Sequence, residues 1–253
     1  MPQTKIVFFD IDGTLIDMQA KKITPKMLET LHRLQDRGIK ICIATGRSPM
    51  VLPKIDGVAF DAYLTFNGSL CYDRKGVIFS NPIPHKDVVR FIQNAAALGR
   101  PVCVSTRDRL AANGTDTDLT DYFFMPVADD FDAVCAEDIY QLMLGCRPKD
   151  YPALLDGAPG AKIAAWWDRA VDVIPAGGGK GIGIEKMLAY YGLDKAEALA
   201  FGDGNNDREM LQAVGTGVAM ENGSPELKAI ADEICGPVYE DGIYHYCADK
   251  GLI

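Results

Sequence analysis

The chain has 253 residues, 48% of them hydrophobic and 24% charged, with a formal net charge of −9. That acidity argues against a nucleic-acid backbone or an anionic membrane as the main partner, yet a small anionic substrate could still meet a local basic site. Seven scattered cysteines (Cys42, Cys71, Cys103, Cys135, Cys146, Cys235, Cys247) without a Cys-x-x-Cys, and three distant histidines (His32, His85, His245), exclude zinc-site spacing and read as reduced thiols in a cytosol.

The apolar run Val7-Phe8-Phe9 leads straight into Asp10-Ile11-Asp12-Gly13-Thr14. A short unbroken apolar run suits a strand buried on both faces of a parallel sheet. The chain enters this strand at once, which leaves no room for a signal peptide, and no apolar run approaches a membrane span. A cytoplasmic protein is therefore expected. Thr24 and Pro25 open a helix striped by Met27, Leu28, Leu31 and Leu34 and ended by Gly38. A second strand, Ile39 to Ala44, runs into Thr45-Gly46-Arg47, and a third, Ala62 to Phe66, into Asn67-Gly68. Strand, helix, strand implies a right-handed crossover and a parallel pair. Ser69 to Phe79 reads as a hairpin turning at Asp73-Arg74-Lys75-Gly76.

From about Pro82 the pattern changes. A helix, Lys86 to Leu98, precedes short segments around Val102 to Val104, Tyr140 to Leu144, Ile163 to Trp167 and Val171 to Ile174, with polar loops such as Asn113 to Asp121 between them. This is the grammar of an α+β unit on an antiparallel sheet. The α/β pattern returns at Pro175: a helix (Ile182 to Tyr191), a strand (Ala198 to Phe201), Gly202-Asp203-Gly204-Asn205-Asn206-Asp207, a strand near Gly217 to Met220, and a helix from Pro225. The expected fold is α/β, a doubly wound, mostly parallel Rossmann-like core sheet with an inserted α+β domain. Residues 1–82 and 178–253 form the core, and 83–177 the insertion.

Asp10 and Asp12 sit at a strand's carboxyl end, where open α/β sheets place ligands, and residues two apart in an extended chain face one side. Gly13 permits a sharp turn. Two adjacent carboxylates repel unless a cation or proton intervenes. With Asp203 and Asp207 from another strand end they offer the hard oxygens that Mg²⁺ requires. Lys180 at a helix start opposes the helix dipole, a placement that makes sense beside an anion. Thr45-Gly46 offers a hydroxyl and backbone N–H groups, which suit a phosphate.

Asp10-Ile11-Asp12-Gly13-Thr14, Thr45-Gly46-Arg47, Lys180 and Gly202-Asp203-Gly204-Asn205-Asn206-Asp207 are similar, in order and spacing, to the four motifs of the haloacid dehalogenase-like phosphatases. Pro175 to Lys180, the Gly-Val-Ala-Met ending at Met220, and Glu240-Asp241-Gly242 resemble the Cof-type branch, which carries its cap between the third core strand and the motif lysine. The resemblance covers roughly residues 4–82 and 178–253; in the cap it is architectural only. One departure is Gly177-Gly178-Gly179, where relatives commonly have a bulkier residue and a serine. The resemblance implies that Asp10 is the nucleophile of an aspartyl-phosphate mechanism and Asp12 the general acid and base. It also implies that Asp10, Asp203 and the main-chain carbonyl of Asp12 ligate Mg²⁺, with Asp207 behind them. Ile11, Thr45, Gly46, Lys180 and Asn206 would hold the phosphoryl oxygens.

The expected activity is Mg²⁺-dependent hydrolysis of small phosphorylated metabolites, sugar-phosphate-like or cofactor phosphates, by a monomer or small homo-oligomer. A sugar-phosphate mutase and a non-enzymatic receiver that accepts phosphate on an aspartate are the alternatives; chain length, the insertion and Asp12 weigh against the receiver. The insertion is expected to select the leaving group. Arg107, Arg109, Arg147, Trp166 and Trp167 are its candidate readers, although arginines ordinarily occupy solvated faces and tryptophans fill cores.

Overall fold

The computed structural model describes residues 3–116, 125–165 and 168–253. In chain order the strands are β1 (Ile6–Phe9), β2 (Lys40–Ala44), β3 (Ala62–Thr65), β4 (Leu70–Asp73), β5 (Gly76–Ser80), β6 (Cys103–Ser105), β7 (Leu110–Ala112), β8 (Gln141–Gly145), β9 (Ala161–Ala165), β10 (Ala170–Pro175), β11 (Ala198–Gly202), β12 (Thr216–Met220) and β13 (Glu233–Cys235). The helices are α1 (Pro25–Asp36), α2 (His85–Ala97), α3 (Phe131–Val134), α4 (Tyr151–Leu154), α5 (Lys180–Tyr191), α6 (Arg208–Gln212), α7 (Pro225–Lys228) and α8 (Gly242–Asp249). They fall into two compact units. One holds Met1–Thr45, Pro53–Phe79 and Gly179–Ile253; the other holds Gly46–Leu52 and Ser80–Gly178.

The first unit is built on the sheet β13-β12-β11-β1-β2-β3-β4-β5, as far as the described residues show. From β13 to β3 neighbouring strands run parallel, and β4 returns antiparallel to β3. Ile6, Val7, Phe8 and Phe9 are completely buried, as a strand covered on both faces must be. Ile6 and Phe8 join Cys42, Ala44, Ala62 and Leu64 in an apolar cluster closed by Ile184 and Met187 of α5 and Met210 and Leu211 of α6. On the other face Phe9 stacks on Phe201, with ring centroids 5.5 Å apart, and Phe201 meets the edge of Tyr246 of α8. Burying each such side chain contributes roughly 1.5–3 kcal/mol. This double covering is the doubly wound architecture anticipated above.

Helix α1 starts as its sequence suggests: the Thr24 hydroxyl accepts the Met27 N–H at 3.1 Å, Pro25 occupies the first turn, and Met27, Leu31 and Leu34 are buried. The hairpin turns where expected because Asp73 Oδ1 accepts the N–H groups of Lys75 and Gly76. Helix α5 begins two residues before the expected Ile182, because Gly179, at φ 133°, lets the chain turn directly into Lys180. Among the described residues no helix is long and apolar enough to cross a membrane.

The second unit is an antiparallel sheet ordered β7-β6-β8-β10-β9. One face carries Val104, Leu142, Leu144, Val171 and Val173 against Val88 and Phe91 of α2 and Leu154 of α4. Strand β7 and the four-residue helices α3 and α4 were not anticipated; segments this short carry too few periodic positions to register. Strand β9 lies two residues earlier than expected. Trp166 and Trp167, and residues 117–121 of the expected polar loop, lie outside the described residues.

Candidate active site

Parallel pairing brings the ends of β1, β2, β3 and β11 to one edge, which carries Asp10, Thr45, Asn67 and Asp203. The ladder continues to the site: Asp10 N–H donates to Phe201 O at 3.0 Å and Thr45 N–H to Leu64 O at 2.9 Å. One oxygen from each of Asp10, Asp203 and Asp207 lies within 4.8 Å of the others. Asp10 and Asp207 are buried and Asp203 is half-buried. Three convergent carboxylates fit a hard divalent cation.

Lys180, only 1% exposed, compensates part of this charge. Its ammonium donates to Asp10 Oδ1 at 2.7 Å and to Asp207 Oδ1. The anions that explain its place at a helix start are thus two of the protein's own side chains. Burial opposes its charge, but Asp10 and Asp207 outweigh that and hold the ammonium above its usual range. Burial, reinforced by the neighbouring carboxylates Asp207 and Asp203 and only partly relieved by Lys180, raises the Asp10 carboxyl well above its ordinary value. Burial, then the charge of Asp207, pushes Asp203 up to about 7. The cluster is short of positive charge, which a divalent cation would supply.

The motif letters acquire individual reasons. Thr14 Oγ1 donates to Asp203 Oδ1 at 2.8 Å. Gly13, at φ 85°, leaves the space that Asp203 occupies: a Cβ there would lie 2.2 Å from Asp203 Oδ2. Asp207 Oδ2 accepts the N–H groups of Asp203 and Gly204 at 3.0 and 2.9 Å while Oδ1 takes Lys180. Asp207 therefore ties the turn after β11 to the lysine.

Asp12 is half-buried, and its side chain is not among the three that converge. Ile11 is buried, and its carbonyl accepts the N–H groups of Leu15 and Ile16 at 3.0 and 2.9 Å. Asn206 Nδ2 donates to Asn67 Oδ1 at 3.1 Å. Gly46 follows Thr45 directly, and the segment Gly46–Leu52 groups with the second unit. Two further asparagines brace the site. Asn222 donates to Gly13 O at 2.8 Å and accepts the Val238 N–H at 2.9 Å. Asn67 sits beside Asn206. Their signal was an Asn-Gly pair after an apolar strand, which reads equally well as an ordinary turn.

Three arginines of the second unit, the candidate readers Arg107, Arg109 and Arg147, are surface groups. Arg109 pairs with Asp130 at 2.5 Å, Arg147 with Asp168 at 2.8 Å, and Arg107 lies 3.9 Å from Asp108, with all six side chains at least 43% exposed.

Residues 7–247 match the family described as haloacid dehalogenase-like hydrolase. YkrA of Bacillus subtilis (strain 168), named as a candidate phosphatase, is 35% identical over 260 residues, 99% of each chain. The 5-amino-6-(5-phospho-D-ribitylamino)uracil phosphatase YitU of the same organism is 28% identical over 261 residues, 95% of each chain. The solved structure of the HAD subclass IIB sugar phosphatase BT4131 superposes with a TM-score of 0.90 at 28% identity, covering 99% of this chain and 100% of that one. The chain belongs to the haloacid dehalogenase-like hydrolase family and is a phosphatase.

Proposed function

We propose that the protein hydrolyses phosphate monoesters of small hydroxylated metabolites in a Mg²⁺-dependent reaction through an aspartyl-phosphate on Asp10. The observation that carries this reading is the convergence of Asp10, Asp203 and Asp207 at the carboxyl edge of the sheet, with the buried Lys180 bonded to Asp10 and Asp207. Its substrate class rests on two relatives, one named for a phosphoribityl compound and one for sugar phosphates.

In this reading an Asp10 carboxylate oxygen attacks phosphorus, the ester P–O bond breaks, and the leaving oxygen takes a proton from Asp12. Water then attacks the aspartyl-phosphate, Asp12 recovers the proton, and inorganic phosphate leaves with Asp10 regenerated. Lys180 is already bonded to Asp10, so its charge sits beside the nucleophile and moderates the repulsion between a carboxylate and a phosphate dianion. Thr45, Gly46, Asn206 and the Ile11 N–H would bind the phosphoryl oxygens. Asp10, Asp203 and the Asp12 carbonyl would hold Mg²⁺, whose charge offsets that of the phosphoryl group. Asp207 spends its oxygens on Lys180 and two backbone N–H groups, which supports a positioning role. We assign residues 1–82 and 178–253 to the catalytic core and 83–177 to a cap that selects the leaving group.

The test is phosphate release from an aryl phosphate and a panel of sugar and polyol phosphates. Activity should require Mg²⁺ and disappear with chelator while the circular dichroism spectrum stays that of the folded protein. Full activity in chelator would remove the metal from the mechanism.

A further inference from the structure

The turn after β3 holds three consecutive residues in the left-handed region: Phe66 at φ 52°, Asn67 at φ 53° and Gly68 at φ 85°. Glycine accepts this conformation freely and asparagine tolerates it, but a bulky residue such as Phe66 rarely does. Strain of this kind persists only where the surroundings fix the backbone, and it concentrates at functional sites.

Three groups assigned above to the phosphoryl oxygens meet this one turn. The Asn67 N–H donates to Thr45 O at 2.9 Å. Asn67 Oδ1 accepts from Asn206 Nδ2 at 3.1 Å. Gly68 lies directly against the start of α5: a Cβ there would stand 2.6 Å from Gly179 O and 3.2 Å from the Lys180 Cα. Asn67 itself is 2% exposed. A regular extension of β3 alternates its side chains and keeps its N–H groups in the ladder. The left-handed turn instead lets one residue serve Thr45 with its backbone and Asn206 with its side chain.

We propose that Asn67 is a positioning residue for phosphoryl transfer, acting by fixing which way round the Asn206 carboxamide lies. The inference rests on the proposed role of Asn206 as a phosphoryl-oxygen donor. A carboxamide presents two N–H groups at one end and only acceptor lone pairs at the other. Reversed, it would turn an acceptor toward a phosphoryl oxygen and repel it. Asn67 Oδ1 takes one N–H of Asn206 and so fixes the nitrogen end, leaving the second N–H for an anion. The oxygen end lies over Gly204, where a Cβ would come within 2.5 Å of Asn206 Oδ1. The close contact of Gly68 with the Gly179 backbone ties the same turn to Lys180, so donor and cation share one support.

A double-mutant cycle on the full-length protein with Mg²⁺ tests this, using Asn67→Gly, Asn206→Ala and the pair. Glycine keeps the left-handed backbone and removes only the carboxamide, so thermal unfolding should move by no more than a few degrees. Asn67→Gly should lower kcat/KM about tenfold to a hundredfold, by a similar factor for aryl and sugar phosphates, and weaken inhibition by inorganic phosphate. The double variant should be no worse than Asn206→Ala alone, to within about twofold, because Asn67 acts through Asn206. Wild-type constants in Asn67→Gly, or losses that multiply in the pair, would overturn the proposal. Should Asn67→Gly fail to fold, Asn67→Ser, whose hydroxyl is too short to reach Asn206, goes through the same cycle with the same criterion. A wild-type protein that releases no phosphate from any ester would overturn the proposed function and this inference together. Wild-type turnover with multiplying losses would overturn the positioning role alone.

Discussion

In the first unit Asp10, Lys180 and Asp207 are buried and paired with one another, whereas the second unit keeps its Arg109–Asp130 and Arg147–Asp168 pairs in solvent. The chemistry of the pairs is similar; the surroundings differ. Exposed pairs contribute about 0–1 kcal/mol each, because water screens them and two long side chains must be held still. In a buried cluster, removing one partner leaves an uncompensated charge in a poor solvent. The core cluster also holds more carboxylate than cation. Such an arrangement is hard to explain as a stabilising device and easy to explain as a site that receives a cation and then a phosphate.

The strongest way to break that contrast is to remove the nucleophile. Asp10→Asn keeps the shape of the side chain but not its charge. It should cut kcat/KM by about a thousandfold or more while the protein stays folded. Near-normal turnover in this variant would end the covalent mechanism.

Lys180→Met tests the cluster's electrostatics directly. It leaves Asp10 and Asp207 buried without their shared cation, so denaturant unfolding should show a loss of about 3–5 kcal/mol. Activity should fall by a similar factor for every substrate, since Lys180 lies beside Asp10. An unchanged unfolding midpoint would mean that the cluster relaxes or protonates at little cost.

How far these residues could be seen in the sequence follows from the same contrast. Strands β1, β2 and β11 are short apolar runs ending in Asp, Thr-Gly and Gly-Asp, and a chain that buries both faces of a sheet leaves little freedom in where those ends go. The partners that hold them were harder to see. Thr14 is one letter of a motif in the sequence, yet it bonds to Asp203, 189 residues away. Asn222 and Asn67 act through a carboxamide whose partner is distant in the chain, and nothing local distinguishes such a carboxamide from a turn residue. In the second unit, β7, α3 and α4 are three or four residues long and are set by packing against neighbours rather than by their own periodicity. The glycine run 177–179 resolves at one position: Gly179 needs its φ of 133° and lies against Gly68.

A milder test titrates the cluster without a metal. Burial and the charge of Asp207 raise Asp203 to about 7, and Asp10 is raised as well, while unfolded aspartates titrate near 3.8. A carboxyl raised by folding binds its proton more tightly in the native state. Its contribution to stability is therefore fully present below about pH 4 and lost as pH rises toward 7. Metal-free wild type should lose stability across that window relative to Asp203→Asn, which has no proton to give up. The difference should be on the order of 2 kcal/mol once partial exposure is allowed for. Mg²⁺ should abolish it by replacing the protons. A metal-free stability profile that is the same in both proteins would show that Asp203 titrates normally and that its neighbours do not repel it.

The smallest effect is expected where charge is most visible on the surface. Arg147 donates to Asp168 at 2.8 Å, but its side chain is 46% exposed and that of Asp168 66%. Screening leaves such a pair little energy, so Arg147→Ala should move the unfolding free energy by less than about 1 kcal/mol. Selectivity is a sharper readout, because Arg147 was a candidate reader of the leaving group. A residue that meets the leaving group changes the ranking of substrates through differential transition-state binding, by about tenfold or more for a charge-assisted contact. Arg147 instead turns its Nη1 to an aspartate in its own unit. Across a panel of aryl, sugar and polyol phosphates, the ratios of kcat/KM in Arg147→Ala should therefore stay within about twofold of wild type. A reordered panel would reverse this reading. It would mean that the Arg147–Asp168 pair opens when substrate arrives, and that the charge on this surface is functional after all.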